Sequence, residues 1–114
     1  MTRRNKFGAK KVVVDGLKFD SVREAKRWQE LKLMARAGEI TSLARQVVFE
    51  LAPAVKLHGE ARKKPALRYV ADFRYIVFPD FAYVVEDAKG RDTPVSRIKR
   101  HLMKSVHGID VVIS

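Results

Sequence analysis

Residues 83–90 read YVVEDAKG, and the interpretation of the whole chain starts from this stretch. Its apolar beginning is typical of a β-strand, which ends in Glu86 and Asp87, with Lys89 two residues past the second acid. Because successive side chains of a strand point to opposite faces, Asp87 and Lys89 are expected on one face and Glu86 on the other. The sequence thus predicts that Asp87 and Lys89 act together, while Glu86 pairs with a basic side chain.

The preceding apolar segment, residues 66–78, predicts a long strand that contains Asp72. Alternation places Asp72 on the face of Val70 and Arg74, with Tyr69, Ala71 and Phe73 on the other face. If the turn at residues 78–81 joins the two strands into a hairpin, Asp72 and Asp87 lie near the same end. Two carboxylates beside a lysine can hold Mg²⁺ or Mn²⁺, which prefer oxygen ligands. The alternative is that these acids face solvent and form only a weak surface ion pair with Lys89.

The remaining segments predict two helices and further strands. Asp15-Gly16 is a hairpin turn signal; the first helix starts at Asp20 or Ser21, and the second at Thr93-Pro94. The predicted order is a β-hairpin, then α, β, β, β, α, β, which indicates a single α/β domain over residues 1–114 with a mixed sheet flanked by two helices. Residues 1–10 are expected to be a mobile basic arm.

The composition points to a polyanionic partner. The 114 residues carry a formal net charge of +11 and no cysteine, which excludes disulfides and thiolate zinc sites. No apolar run approaches the ~20 residues needed to cross a bilayer, so we expect a cytoplasmic protein that binds nucleic acid and no membrane. A basic binding protein without catalytic chemistry is the alternative. The candidate nucleic-acid contacts are Arg62, Lys63, Lys64, Arg97, Lys99, Arg100 and Lys104.

Two further polar residues are candidates for the same site. Glu24 shares a helical stripe with Trp28, which directs its carboxylate toward the core or a cleft. In the competing interpretation, Ser21 and Glu24 form a capping box and Glu24 has no catalytic role. Gln46 either lines the cleft, where it is a further candidate nucleic-acid contact, or is an exposed strand residue.

The second helix carries an apolar stripe formed by Val95, Ile98, Leu102 and Val106. This spacing predicts that the stripe packs on the sheet. The basic residues of the helix are then left on its other faces, where they could contact phosphates.

The motifs ADF, with Asp72, and EDAKG, with Asp87-Ala88-Lys89, resemble those of the PD-(D/E)XK nuclease superfamily. Residues 21–113 follow the superfamily's core order of α-β-β-β-α-β, so the resemblance implies a restriction-endonuclease-like core. It also implies a Mg²⁺- or Mn²⁺-dependent DNA endonuclease that hydrolyses phosphodiester bonds. In that scheme Glu24, Asp72 and Asp87 are the metal ligands, and Lys89 completes the catalytic set.

The combination FDSxxE, RQxxF, YxADFxY and EDxKG more closely resembles small phage-encoded members of this superfamily, which are similar to Holliday junction resolvases. That resemblance implies a structure-selective or general DNA endonuclease that acts in phage recombination, replication or packaging, in the cytoplasm of a bacterial host. It further implies selectivity for branched DNA and a homodimer, since two active sites are needed to cut two strands symmetrically. A nuclease directed to RNA on the same scaffold is a second alternative.

Overall fold

The computed structural model describes residues 11–114, so the predicted basic arm at residues 1–10 lies outside the described residues. The observed elements follow the predicted order and confirm the α/β class. They are β1 (Val12–Val14), β2 (Leu17–Phe19), α1 (Val22–Arg36), β3 (Ile40–Ala52), β4 (Leu67–Val77), β5 (Ala82–Asp87), α2 (Pro94–His107) and β6 (Val112–Ile113).

The central sheet has four strands in the order β3-β4-β5-β6, and β1 and β2 form a separate hairpin. The strands β3, β4 and β5 are antiparallel neighbours, whereas β6 runs parallel to β5. The sheet is therefore mixed, as predicted. The parallel contact arises because α2 carries the chain back to the start of β6, beside the carboxyl end of β5.

Side-chain caps fix where both helices begin. The Ser21 hydroxyl accepts a hydrogen bond from the Glu24 N–H at 3.1 Å, and the Thr93 hydroxyl accepts one from the Ser96 N–H at the same distance. Each cap satisfies a first-turn amide that has no partner inside the helix. At the other end of α2, Gly108 adopts a φ of 70°, a conformation that favours glycine.

Two clusters form the core, and β4 contributes to both. Tyr69 and Ala71 pack with Met103 of α2, whereas Phe73 packs with Leu31 of α1. The prediction that Tyr69, Ala71 and Phe73 share one face was therefore wrong. The strand changes face at Asp72, so this residue lies at the boundary between the two clusters.

The predicted packing of α2 was also wrong. Val95, Ile98 and Val106 are 62%, 60% and 51% exposed, while Ser96 and Met103 are buried. The sheet is contacted by the side of the helix around Met103, and most of the apolar stripe faces solvent. Helical spacing identified an apolar face correctly, but it could not tell which face the sheet covers.

The β3–β4 pair extends well beyond Asp72. Paired residues continue out to Ala52 and Leu67, and an isolated bridge joins Val55 to Lys64. None of the helices found between residues 11 and 114 has the length and apolar character needed to span a bilayer.

Candidate metal centre

Asp72 and Asp87 are held together across the β4–β5 pair. The Asp72 N–H donates to Asp87 Oδ1 at 2.9 Å, and the Ala88 N–H donates to Asp72 Oδ2 at 2.9 Å. Each carboxylate is thus positioned by a backbone amide on the neighbouring strand. The expectation that these two acids lie at the same end of the hairpin is confirmed.

Asp87 has two further contacts on its own face of the sheet. The Tyr69 hydroxyl donates to Asp87 Oδ2, and Lys89 Nζ lies 3.8 Å from the same oxygen. Strand β6 holds the backbone around them, because the Ser114 N–H donates to the Asp87 carbonyl and the Lys89 N–H donates to the Ser114 carbonyl. Asp87 and Lys89 therefore share one face, as alternation predicted, and Lys89 remains 27% exposed at the surface.

Glu24 approaches the same place from α1. Its Oε1 accepts a hydrogen bond from Gln46 Nε2 at 3.2 Å, and Arg45 lies 3.9 Å from that oxygen. The residue is only 4% exposed. Ser21 does cap the helix through the Glu24 amide, but the Glu24 carboxylate contacts Gln46 on β3. Both sequence interpretations of Glu24 thus describe part of what is observed.

Gln46 has an unusual backbone for a residue inside a strand. Its φ is +54°, and it lies between the paired residues Arg45–Phe73 and Val47–Ala71, opposite Asp72. A non-glycine residue in this region costs roughly 1–3 kcal/mol and persists only where its surroundings impose it. Here the conformation is imposed by the change of face that β3 and β4 both make at this point. Although the residue is exposed, its amide reaches Glu24 instead of pointing only to solvent.

The electrostatics of these three acids indicate negative charge that their partners compensate only in part. Burial raises the pKa of Glu24 to about 7, with further contributions from the charges of Asp72 and Asp20. Burial also raises the pKa of Asp72 and of Asp87, although Lys89 lowers both in part.

Glu86 points to the opposite face, where it is fully compensated. Arg27 of α1 donates to both Glu86 oxygens, at 2.7 and 3.1 Å, and hydroxyls of Tyr75 and Ser114 donate at 2.5 and 2.8 Å. Burial by itself raises the pKa of Glu86, but the hydrogen bond from Arg27 and those from the two hydroxyls lower it overall. The prediction that Glu86 pairs with a basic side chain is confirmed.

Sequence reasoning missed three contributors to the site and its surroundings: Arg27, Arg45 and Tyr69. Arg45 stacks 4.4 Å from the Phe19 ring centre and donates to the Lys18 carbonyl, which connects the hairpin β1–β2 to the site. The positions of Arg45 and Tyr69 within their strands gave no signal, because the contacts of both residues with the site depend on the change of face at Asp72.

The predicted nucleic-acid contacts fall into two groups. Arg62, Lys63 and Lys64 are exposed at the far end of the β3–β4 hairpin. On α2, Arg97 and Arg100 pair with Asp92 at 3.6 and 2.6 Å, and Lys104 pairs with Asp110 at 2.7 Å, while Lys99 is half-buried. Of this second group, Arg100 is close enough for its charge to lower the pKa of Asp87.

The chemistry of the donor set, although not a ready-made geometry, suits a hard divalent cation. Within residues 11–114 no three His, Asp or Glu side chains converge tightly enough to form a ready-made metal cluster. The carboxylates of Glu24, Asp72 and Asp87 are nevertheless all oxygen donors. Each accepts only some of the roughly four hydrogen bonds that an ionised carboxylate can take. Oxygen donors with raised pKa values are what Mg²⁺ or Mn²⁺ would stabilise.

The chain was also compared with known proteins. A family model described as "Protein of unknown function (DUF1064)" matches residues 4–110. We found no significant match to a curated protein or to a solved structure. Because the family model covers nearly the whole sequence, the chain belongs to the DUF1064 family.

Proposed function

We propose that this protein is a Mg²⁺- or Mn²⁺-dependent DNA endonuclease with a restriction-endonuclease-like core. The observation that carries the proposal is the pair of hydrogen bonds that backbone amides make to the Asp72 and Asp87 carboxylates, with buried Glu24 beside them. Structural acids are normally compensated, as Glu86 is, whereas perturbed carboxylates that cluster at one place are typical of functional sites.

The chain's own residues have distinct parts in the proposed reaction. Glu24, Asp72 and Asp87 would hold the cation, which would supply a water of lowered pKa and neutralise charge on the scissile phosphate. Lys89 has three N–H donors and is partly exposed, so it can orient the attacking water or contact a phosphate oxygen. Gln46 holds the Glu24 carboxylate toward the strands through its amide.

The charge of the protein supports a nucleic-acid substrate. A formal net charge of +11 attracts phosphate backbones without any sequence preference. The proposal extends to a cytoplasmic enzyme that acts on branched DNA as a homodimer, which would supply two sites for two strands. Equilibrium sedimentation with and without a four-way junction tests the dimer.

Plasmid nicking tests the hydrolytic function. Wild-type protein is expected to nick supercoiled DNA with Mg²⁺ or Mn²⁺ and not with a chelator. Asp72→Asn and Lys89→Ala are each expected to lose at least a hundredfold in rate while they retain DNA binding. Metal-dependent nicking that persists in both variants would rule out this site.

The alternative function is a basic nucleic-acid-binding protein without catalysis, which the exposed cations alone would support. It predicts tight, salt-dependent binding with no nicking in any variant. Matched DNA and RNA hairpins in the same assay distinguish a deoxyribonuclease from an RNA-directed enzyme.

A further inference from the structure

The β3–β4 hairpin forms an arm that starts at the candidate metal centre. We define the arm as residues 47–71, the part of the two strands and their connecting loop that lies beyond Gln46 and Asp72. Val47 pairs with Ala71 next to the site, and pairing continues to Ala52 and Leu67. Reciprocal backbone hydrogen bonds between Val55 and Lys64, at 3.1 and 2.6 Å, extend it further.

One face of the arm is packed against α2, so the arm cannot fold back over the site without breaking core contacts. Leu51 and Tyr69 are buried with Met103 in one cluster. His107 adds a hydrogen-bond contact of 2.7 Å with the Glu50 carbonyl and a ring contact with Phe49. The direction of the arm is therefore fixed relative to Asp72 and Asp87.

Positive charge is concentrated at the end of the arm. The connecting loop, residues 56–64, carries four cations and a single acid, Glu60. Glu60 pairs with Lys64 at 3.3 Å and leaves the other three cations in excess. These exposed cations are Lys56, Arg62 and Lys63.

The distance from the candidate metal centre to these cations can be expressed as a number of base pairs of duplex DNA. The chain advances nine residues from Gln46 to Val55. At about 3.3 Å per residue, and allowing for strand twist, this spans roughly 25–30 Å. Duplex DNA rises about 3.4 Å per base pair, so the same distance covers about eight base pairs.

We propose that the tip of the arm binds the phosphate backbone of duplex DNA about eight base pairs from the bond that is cut. The inference rests on the proposed function, which identifies the candidate metal centre as the place where the bond is cut. It names the substrate class as double-stranded DNA of at least eight base pairs. A flexible single strand has no fixed spacing between its phosphates, so it cannot use a rigid arm in this way.

Binding to end-labelled duplexes of 6 to 30 base pairs tests the inference. It is measured by fluorescence anisotropy in Ca²⁺, so no cleavage is required. Wild-type affinity is expected to rise about tenfold as the duplex length passes eight to ten base pairs, and we call this rise the step. Single strands of matched length are expected to show only a gradual rise. The variant Lys56→Gln/Arg62→Gln/Lys63→Gln removes the three cations in excess, so it should lose the step, and its log–log salt slope should fall by about 2–3. The Val55–Lys64 bridge is formed by backbone atoms and is retained.

The matched control removes the same charge from α1 through Lys26→Gln, Lys32→Gln and Arg36→Gln, and it should keep the step. A step that survives in the arm variant, or is absent from wild type, overturns the inference. The same duplexes in Mn²⁺ report cleavage separately. A binding step without any cutting would support the arm and refute the nuclease, whereas cutting of six-base-pair duplexes at the full rate would refute the arm alone.

Discussion

Glu86 and Asp87 are neighbours in the chain and are almost equally buried, at 1% and 3% exposure, but their surroundings differ completely. Glu86 accepts hydrogen bonds from a guanidinium and two hydroxyls, and its pKa is lowered. Asp87 accepts bonds from a backbone amide and from Tyr69, with Lys89 at 3.8 Å, and its pKa is raised. The same kind of side chain therefore stabilises the fold on one face of β5 and carries only partly compensated charge on the other.

The difference separates a structural acid from a candidate ligand. A buried carboxylate with a well-placed guanidinium needs no further partner, and removing either partner leaves an unpaired buried charge. Carboxylates that gather with raised pKa values destabilise the folded protein at neutral pH until a cation binds. The comparison thus predicts that changes on one face reduce stability, while changes on the other reduce activity.

The largest expected effect comes from Asp87→Asn, which should reduce metal-dependent plasmid nicking by about a thousandfold. Asparagine keeps an oxygen for the Asp72 amide but loses the charge that attracts the cation. Urea unfolding at pH 8 in chelator should show unchanged or higher stability. A nicking rate within tenfold of wild type would remove Asp87 from the site.

The next effect comes from Glu86→Gln on the opposite face. Loss of the charge leaves Arg27 without its buried ion-pair partner, so the free energy of unfolding should fall by about 2–3 kcal/mol. Nicking per folded molecule should stay within a few-fold of wild type. Glu30→Gln is the matched control, because Glu30 pairs with Arg27 at 3.0 Å at the surface and should contribute below about 0.5 kcal/mol. Equal losses in the two variants would contradict the comparison.

The raised pKa of Glu24 predicts a pH dependence of stability in chelator. The folded pKa, about 7, lies above the ordinary value of 4.5, so the folded state binds more protons between these values. Stability should therefore fall as pH rises from about 4.5 through 7 and then level off, with a contribution on the order of 2 kcal/mol. Glu24→Gln should flatten this decline in urea unfolding measured at pH 5 and pH 8. The lowered pKa of Glu86 acts the other way, since its contribution is lost only as pH falls below about 4.5.

Adding Mn²⁺ to the stability measurements at pH 5 and pH 8 tests whether these acids hold the metal. Because the cation needs ionised carboxylates, Mn²⁺ should raise the Tm of wild type more at pH 8 than at pH 5. Glu24→Gln should show a smaller rise at pH 8. An identical Mn²⁺ effect at both pH values would indicate that these acids do not hold the metal.

The smallest effect concerns the strained backbone of Gln46. Gln46→Gly and Gln46→Ala both remove the amide that contacts Glu24, but only glycine relieves the strain at φ +54°. Glycine should therefore be the more stable variant by about 1 kcal/mol in urea unfolding, the reverse of the usual order in a strand. Alanine equal to or more stable than glycine would show that this φ is not retained.

Much of the fold could be predicted from short segments of sequence. The turn at Asp15-Gly16 and the cap at Thr93-Pro94 depend on residues within one turn of each other, and each was found where predicted. The proximity of Asp72 and Asp87 followed from a hairpin with a short turn.

The packing choices could not be predicted in the same way. Helical spacing marked an apolar stripe on α2, but the sheet covers the side around Met103 and leaves Ile98 exposed. Strict alternation placed Tyr69 with Phe73, whereas the left-handed backbone at Gln46 accompanies a change of face. Neither result depends on local propensity, so no local pattern indicated it.

The sequence by itself determined the order of the elements, their caps and turns, and the closeness of two acids and a lysine at one strand end, because those features arise from neighbours along the chain. Only the tertiary structure decided which acid is compensated. Arg27 is 59 positions from Glu86, and Glu24 is 22 positions from Gln46, so these contacts exist only once α1 packs on the sheet. Burial then acts on whatever charges that packing brings together, and it separates the structural carboxylate from the three that form the candidate metal centre.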